Sequence, residues 1–327
     1  MLSLDQVKKA ARAISGQVIR TPLVPSVTLS ESTGSEVHLK LECLQKTGSF
    51  KLRGATNAIL NLSEKERQAG VVCVSTGNHG RGMAFAAKQN NIPAIVCMGN
   101  LVPQNKIDGI KSLGAEVRIV GGSQDEAEEE VARLVNEEGM TMVPPFDHPD
   151  IIAGQGTIAL EILELFPDCD TLVVPLSGGG LCGGVALAAK SVKPDIRIIG
   201  VTMERGAAMH ESLAAGKPIY VEELPTLADS LGGGIGLDNQ HTFNLVRDYV
   251  DDSILVSEQD IADAIRHAYF KEQFIVEGSG SVGVAAALAG KFRDTGKTAI
   301  VVSGRNIDMQ THLNLMNGIM PDIYGKD

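Results

Sequence analysis

The residue in this sequence with the clearest capacity for chemistry is Lys51, set in Thr47-Gly48-Ser49-Phe50-Lys51-Leu52-Arg53-Gly54-Ala55 between an aromatic ring and a run of small side chains. A free lysine amine has a pKa of about 10.4, so it attacks a carbonyl well only where burial or a neighbouring cation favours its neutral form. Arg53 stands two residues on and could supply that cation. Gly, Ser and Ala around it leave room for a bulky partner. The plainer alternative is a solvated lysine in a loop entering a helix.

A second centre is Val173-Val174-Pro175-Leu176-Ser177-Gly178-Gly179-Gly180-Leu181, where an apolar strand runs into three glycines and then a helix. Backbone N–H groups and the positive helix end can converge there on a phosphate. Neither a Walker loop nor a dinucleotide fingerprint is present, since no Gly-Lys-Ser/Thr follows and no acidic residue stands at ribose distance. A side chain at Gly179 would intrude where those N–H groups approach the phosphate. The alternative is a tight turn that needs glycine for conformation alone. A third stretch, Ser75-Thr76-Gly77-Asn78-His79-Gly80, brings two hydroxyls, an amide and an imidazole together, although for His79 alone a structural role is the plainer reading. A lysine, a phosphate cup and a polar loop able to hold a ring oxygen together suggest a phosphorylated aldehyde cofactor.

The elements that must position these residues follow from hydrophobic period. Short Val/Ile-rich runs alternate with segments of helical period, the pattern of parallel sheets covered on both faces by helices, so the fold class is α/β. Strands are expected at Val71–Val74, Ala94–Met98, Glu116–Val120, Thr171–Pro175, Ile196–Val201 and Thr298–Val302. Helices are expected at Leu4–Ile14, Gly80–Asn90, Asn105–Leu113, Gln124–Glu138, Thr157–Leu165, Leu181–Val192, Gln259–Lys271 and Ser281–Lys291. A long irregular stretch from about Ala214 to Asp238 contains a second glycine-rich turn, Leu231-Gly232-Gly233-Gly234-Ile235-Gly236. Such stretches are uncommon unless they line a site.

The 327 residues suffice for one large domain or two interleaved ones. A net charge of −11 with no basic block argues against nucleic acid or an anionic membrane as partner. The first residues lack a basic start before an apolar core and no later run approaches a membrane span, so a cytoplasmic protein is expected. Five cysteines, odd in number and mostly in apolar runs, read as reduced, buried thiols.

Taken together, Ser49-Phe50-Lys51-Leu52-Arg53-Gly54-Ala55, Ser75–Gly80, Ala153-Gly154-Gln155-Gly156-Thr157, Ser177–Leu181 and Ser303-Gly304-Arg305-Asn306 resemble the fold-type II pyridoxal-phosphate enzymes over nearly the whole chain. Within that group the chain is similar to the serine/threonine dehydratases and serine racemases. Met203-Glu204-Arg205-Gly206-Ala207-Ala208-Met209 and Ser303-Gly304-Arg305-Asn306-Ile307-Asp308-Met309 look most like the hydroxyectoine-utilisation dehydratases. The resemblance implies two three-layer lobes with mostly parallel twisted sheets, like the tryptophan synthase β chain, and pyridoxal 5'-phosphate in the cleft between them. Residues 1–70 and 149–327 would form the large cofactor-binding domain and 71–148 the small one. It further implies an amino acid as substrate and a homodimer or higher homo-oligomer.

Residue by residue, the resemblance implies that Lys51 holds the cofactor as a Schiff base, Phe50 packs by the ring, Asn78 bonds the ring oxygen, and Ser177, Gly178, Gly179, Gly180 and Leu181 hold the phosphate. Ser303 would face the pyridine nitrogen, where a hydroxyl favours ring protonation less than a carboxylate would, which suits prompt β-elimination. Ser75, Thr76, Asn78 and His79 would open a helix whose N–H groups take the substrate carboxylate. Thr76 matches the serine that serves as the opposite-face acid in serine racemases. Arg305 stands where relatives carry glycine and would meet an extra anionic group on the substrate or pair with a local acid. Where metal-dependent relatives have carboxylates this chain has Thr202 and Ala208, with Glu204 displaced, so no metal site is expected. The implied activity is elimination of the β-hydroxyl of a hydroxy amino acid in hydroxyectoine breakdown. The alternatives are a 3-hydroxyaspartate or L-serine/L-threonine ammonia-lyase, a racemase, a β-replacement synthase, or a ligand-sensing module that keeps the fold without chemistry.

Overall fold

A computed structural model of the chain describes residues 2–75, 77–100, 102, 104–121, 124–293 and 295–322. Among them are ten strands: β1 Leu23–Pro25, β2 Val37–Lys40, β3 Val71–Val74, β4 Ala94–Met98, β5 Glu116–Ile119, β6 Thr141–Met142, β7 Thr171–Pro175, β8 Arg197–Met203, β9 Asp252–Val256 and β10 Thr298–Val301. They form a six-stranded sheet in the order β1-β2-β10-β7-β8-β9 and a four-stranded sheet in the order β5-β4-β3-β6. Only the β1–β2 pair is antiparallel among the described residues. The α/β class with mostly parallel sheets is therefore observed.

Alternation along the central strands shows why both sheets are covered on two faces. Val173, Ile199, Val201 and Ile300 face one core, while Leu172, Val174, Ile198, Ala299 and Val301 face another on the opposite side. In the smaller sheet Val71, Cys73, Val96 and Met98 turn one way, and Val72, Ile95 and Cys97 the other. Successive side chains in a strand point to opposite faces, so a strand apolar at every position must be buried on both. The five cysteines are all free and buried in these layers. Burial raises the thiols of Cys43 and Cys182 to about 12 and those of Cys97 and Cys169 to about 11, and pushes Cys73 up as well.

Several elements depart from the periodic reading. The helix Lys51–Leu60 was not expected, and it sends Leu52, Ala55 and Ile59 into the core of the four-stranded lobe. The helix expected at Thr157–Leu165 begins at Pro149, because Gly154 and Gly156 are interior helix residues whose lack of a side chain admits the backbone of neighbouring helices. Strands β1, β2, β6 and β9 were also missed, three of them at a sheet edge and β2 next to one, all with mixed burial. No described helix is long and apolar enough to cross a membrane.

Candidate active site

Lys51 is the first residue of its helix, and the loop before it is knitted to the turn after β10. Ser49 bridges Gly304, Phe50 N–H donates to the Ser303 carbonyl (3.0 Å), Arg305 N–H donates to Gly48 (2.9 Å) and the Asn306 amide donates to Thr47 (2.9 Å). Lys51 is partly buried, its Nζ donates to the Pro145 carbonyl at 2.7 Å, and it lies 5.4 Å from the centre of the Phe50 ring. Burial lowers its pKa to about 8. The suggested help from Arg53 is corrected. That guanidinium is fully buried on the far side of the helix and bonded to Glu42 (2.8 Å), Glu161 (2.7 Å) and Thr157 (3.1 Å), and the shift at Lys51 comes from burial.

Across one cavity from Lys51 lies the glycine-rich turn after β7, with Ser177, Gly178, Gly179, Gly180 and Leu181 on its wall and the helix Gly180–Val192 beginning there. Asn78, Phe50 and Ser303 line the same cavity, so the structure brings all of the expected cofactor residues together. A helix N-terminus facing a partly buried lysine suits a phosphorylated aldehyde: the turn offers N–H donors to the anion and the amine faces the carbonyl end. The expectation for Gly179 is corrected. With φ +87° and an added Cβ 2.8 Å from Met209 and 2.9 Å from Thr242, a side chain there would strike the protein behind the cup, so the turn requires this glycine for its own conformation.

The remaining expected residues are distributed as follows. Ser75 Oγ accepts from the Gly80 N–H (3.0 Å) and so caps the helix Asn78–Gln89. The His79 ring donates from Nε2 to the Val143 carbonyl (2.7 Å), away from the cavity, and burial, then the nearby Lys51 charge, lowers its pKa to about 3, so it is neutral. Arg305 is exposed and does not line the cavity. Thr76 lies outside the described residues. Thr202 is buried with its hydroxyl on Met203 Sδ (3.2 Å), Ala208 is buried and Glu204 is exposed.

Glu277 was missed from sequence and belongs to the cavity wall. Its carboxylate accepts from the Asn78 amide (2.6 Å) and from the Asn306 backbone N–H (2.8 Å), while the Asn306 amide donates to Asn78 Oδ1 (2.5 Å). This closed triangle fixes the Asn78 amide, leaving its second N–H on a long 3.4 Å contact to Ser230. Burial and then the Asp229 charge raise the Glu277 carboxyl to about 7, against the hydrogen bonds from Asn78 and Asn306 and the charge of Arg81. Phe146, Ser230 and Ser279 also line the cavity unannounced. The only sequence signals were the Pro-rich turn around Phe146 and the small-residue run Glu277-Gly278-Ser279-Gly280-Ser281.

A family model described as pyridoxal-phosphate dependent enzyme matches residues 14–304. This chain is a member of the pyridoxal-phosphate dependent enzyme family. As such it uses pyridoxal 5'-phosphate, and it is a lyase of the threonine, serine and hydroxyaspartate dehydratase type. This pyridoxal-phosphate enzyme is 56% identical over 98% of its length to a Sinorhizobium fredii protein, 96% of which is covered and which bears a provisional threonine dehydratase name. It is 45% identical over 97% of its length to L-threonine ammonia-lyase of Thermotoga maritima, covering 79% of that protein. Among solved structures it superposes on maize serine racemase with a TM-score of 0.91 and 37% identity, over 97% of each chain.

Proposed function

We propose that this pyridoxal-phosphate lyase removes the β-hydroxyl of a hydroxy amino acid and releases ammonia, and that its substrate arises in hydroxyectoine breakdown. The reading is carried by one observation: Lys51, with its pKa brought down to about 8, shares a cavity with a glycine cup and the hydroxyl of Ser303. The resemblance of Met203–Met209 and Ser303–Met309 to hydroxyectoine-utilisation dehydratases, read from the sequence, supports the substrate.

When bound, pyridoxal phosphate supplies an aldehyde to capture the amino group and a ring that draws electrons from the α-carbon. The first-turn N–H groups at Gly178–Leu181 would hold its phosphate, Asn78 its ring oxygen in place of the long Ser230 contact, and Ser303 its ring nitrogen. Lys51, displaced by the substrate amine, would take the α-proton on its own face. Its lowered pKa keeps a useful fraction neutral near pH 7 and so able to act as base. Departure of hydroxide needs a proton, and such general-acid assistance typically contributes roughly 10²–10⁴-fold. The Ser75-capped helix Asn78–Gln89 points its N-terminus toward the cavity side that holds Asn78, where a carboxylate is favoured.

Product identification with purified enzyme tests the reading, using 3-hydroxyaspartate, serine, threonine and hydroxyectoine-derived 2,4-diaminobutyrate compounds. Release of ammonia and a keto acid fastest from the last group is expected. Preference for serine, threonine or 3-hydroxyaspartate would replace the hydroxyectoine assignment, and α-inversion without keto acid would replace the lyase by a racemase, as the serine racemases among its relatives suggest.

A further inference from the structure

We propose that Asp147 is a clasp holding the roof of the Lys51 cavity closed, a positioning residue that governs how long the cofactor stays bound. The inference rests on the cofactor site described above. The segment 143–148 runs from β6 to the helix Pro149–Leu165 as a strap that puts Phe146 on the cavity wall and is tied down at four places, one of them the Val143 N–H on the Val72 carbonyl (3.0 Å). The Val143 carbonyl accepts from His79 (2.7 Å) and the Pro145 carbonyl from Lys51 (2.7 Å). The Asp147 carboxylate accepts from the N–H groups of Gln240 (2.6 Å), His241 (2.9 Å) and Thr242 (2.9 Å). Of these, the Lys51 anchor uses the amine that must serve the reaction, and the His79 anchor lies at the inner end of the strap. Among the described residues, Asp147 supplies the strap's hydrogen bonds to the segment 240–242.

What the clasp joins explains its effect. Between the anchors, the Phe146 ring lies against the glycine cup, so close that a Cβ on Gly178 would come within 2.5 Å of it. On the other side, Gln240–Thr242 end the irregular stretch whose Ser230 and Leu231 line the cavity. Within that stretch Ile235 is buried, while Gly233 and Gly234 beside it stand in open space, an added Cβ finding its nearest neighbour 3.9 or 4.0 Å away. The tether at 240–242 adds to the hold that Ile235 gives this stretch. Thr242 also backs the cup, within 2.9 Å of where a Gly179 Cβ would be. The Phe146 ring therefore stands in the cavity wall beside the cup that would hold the phosphate, so how firmly the strap is held bears on how long that group stays. A carboxylate at a helix start, bonded to three N–H groups, is a strong tie for the strap.

The test follows loss of cofactor from the holoenzyme to a large excess of a cofactor-free pyridoxal-phosphate-binding protein, read by visible absorbance. D147A should release cofactor about tenfold faster than the parent and D147N about threefold faster, because the amide keeps one acceptor oxygen. Hydrogen exchange on the same samples should quicken in 143–148 and 239–242 but not at Val246–Tyr249, the end of the helix that starts at Thr242. Release within about twofold of the parent in both variants overturns the clasp. Exchange quickened throughout that helix also overturns it, because Asp147 would then be only a cap. If D147A does not fold, D147N decides by the same two readings. Borohydride reduction of the parent with peptide mapping separates the underlying assignment: a label away from Lys51 refutes the cofactor site, whereas a label on Lys51 with unchanged release in D147N refutes the clasp alone.

Discussion

Lys51 owes its reactivity to burial, and that gives a pH signature distinct from a solvated lysine. Because its pKa is lowered to about 8, recombination of cofactor with the apo-protein should quicken with pH to a midpoint near 8 and then level off. A midpoint above 10 in stopped-flow absorbance would place the amine in water. Lys51→Ala should abolish turnover and borohydride labelling together. Glu277 gives the opposite sign. Its carboxyl is raised to about 7 from about 4.5, so the folded state holds the proton more tightly than the unfolded chain does. The stability it confers is complete below pH 4.5 and is lost as pH rises through 7, on the order of 3 kcal/mol for this buried group. The stability of the apo-protein against denaturation across pH 4.5–7 should therefore decline less steeply in Glu277→Gln, and an unchanged slope would assign the decline elsewhere. Lys51 and the cup were legible because their residue types are rare in that order. Glu277 was not, since a lone glutamate between Val276 and Gly278 carries no periodic or compositional mark.

At the level of elements, the helix carrying Lys51 is fixed from behind by charge. Arg53 binds Glu42 and Glu161, Lys40 binds Glu161 (2.5 Å) and the Thr21 carbonyl (2.7 Å), and Arg53, Lys40 and Glu42 are fully buried. Two cations and two carboxylates balance, so removing one leaves an uncompensated buried charge, which typically costs about 3–5 kcal/mol. Arg53→Met should lower the denaturation midpoint of the apo-protein accordingly, and a loss below about 1 kcal/mol would mean that water reaches the cluster. Gly179→Val should likewise depress apo-protein melting along with cofactor affinity, in contrast to a side chain that met only the phosphate. All six strands expected from the sequence are present, β3, β4 and β7 to the residue and β5, β8 and β10 within one or two residues at their ends, because each carries a Val- or Ile-rich run. The helix at Lys51 was hidden because its buried face includes Arg53 and Asn57, whose partners lie far away in the chain. Polar groups satisfied by distant partners leave no local pattern to read.

For the whole molecule, we propose the division of residues 1–70 with 149–327 against 71–148, with the Lys51 helix packing Leu52, Ala55 and Ile59 into the core of the four-stranded sheet. Hard divalent cations need several oxygen ligands, and Thr202 and Ala208 offer little. Activity should therefore survive exhaustive EDTA, and loss reversed by magnesium would show that other carboxylates serve. The buried cysteines add a different consequence. Cys73 and Cys97 sit in the four-stranded sheet, whereas Cys43, Cys169 and Cys182 sit in the cores of the six-stranded one. Alkylation requires an exposed thiolate, and burial denies both conditions at every one of the five. A maleimide that cannot touch the native enzyme becomes a stopwatch with two dials, one in each lobe, and the order in which the five sulfurs are tagged during slow unfolding will show which half of the cleft lets go first.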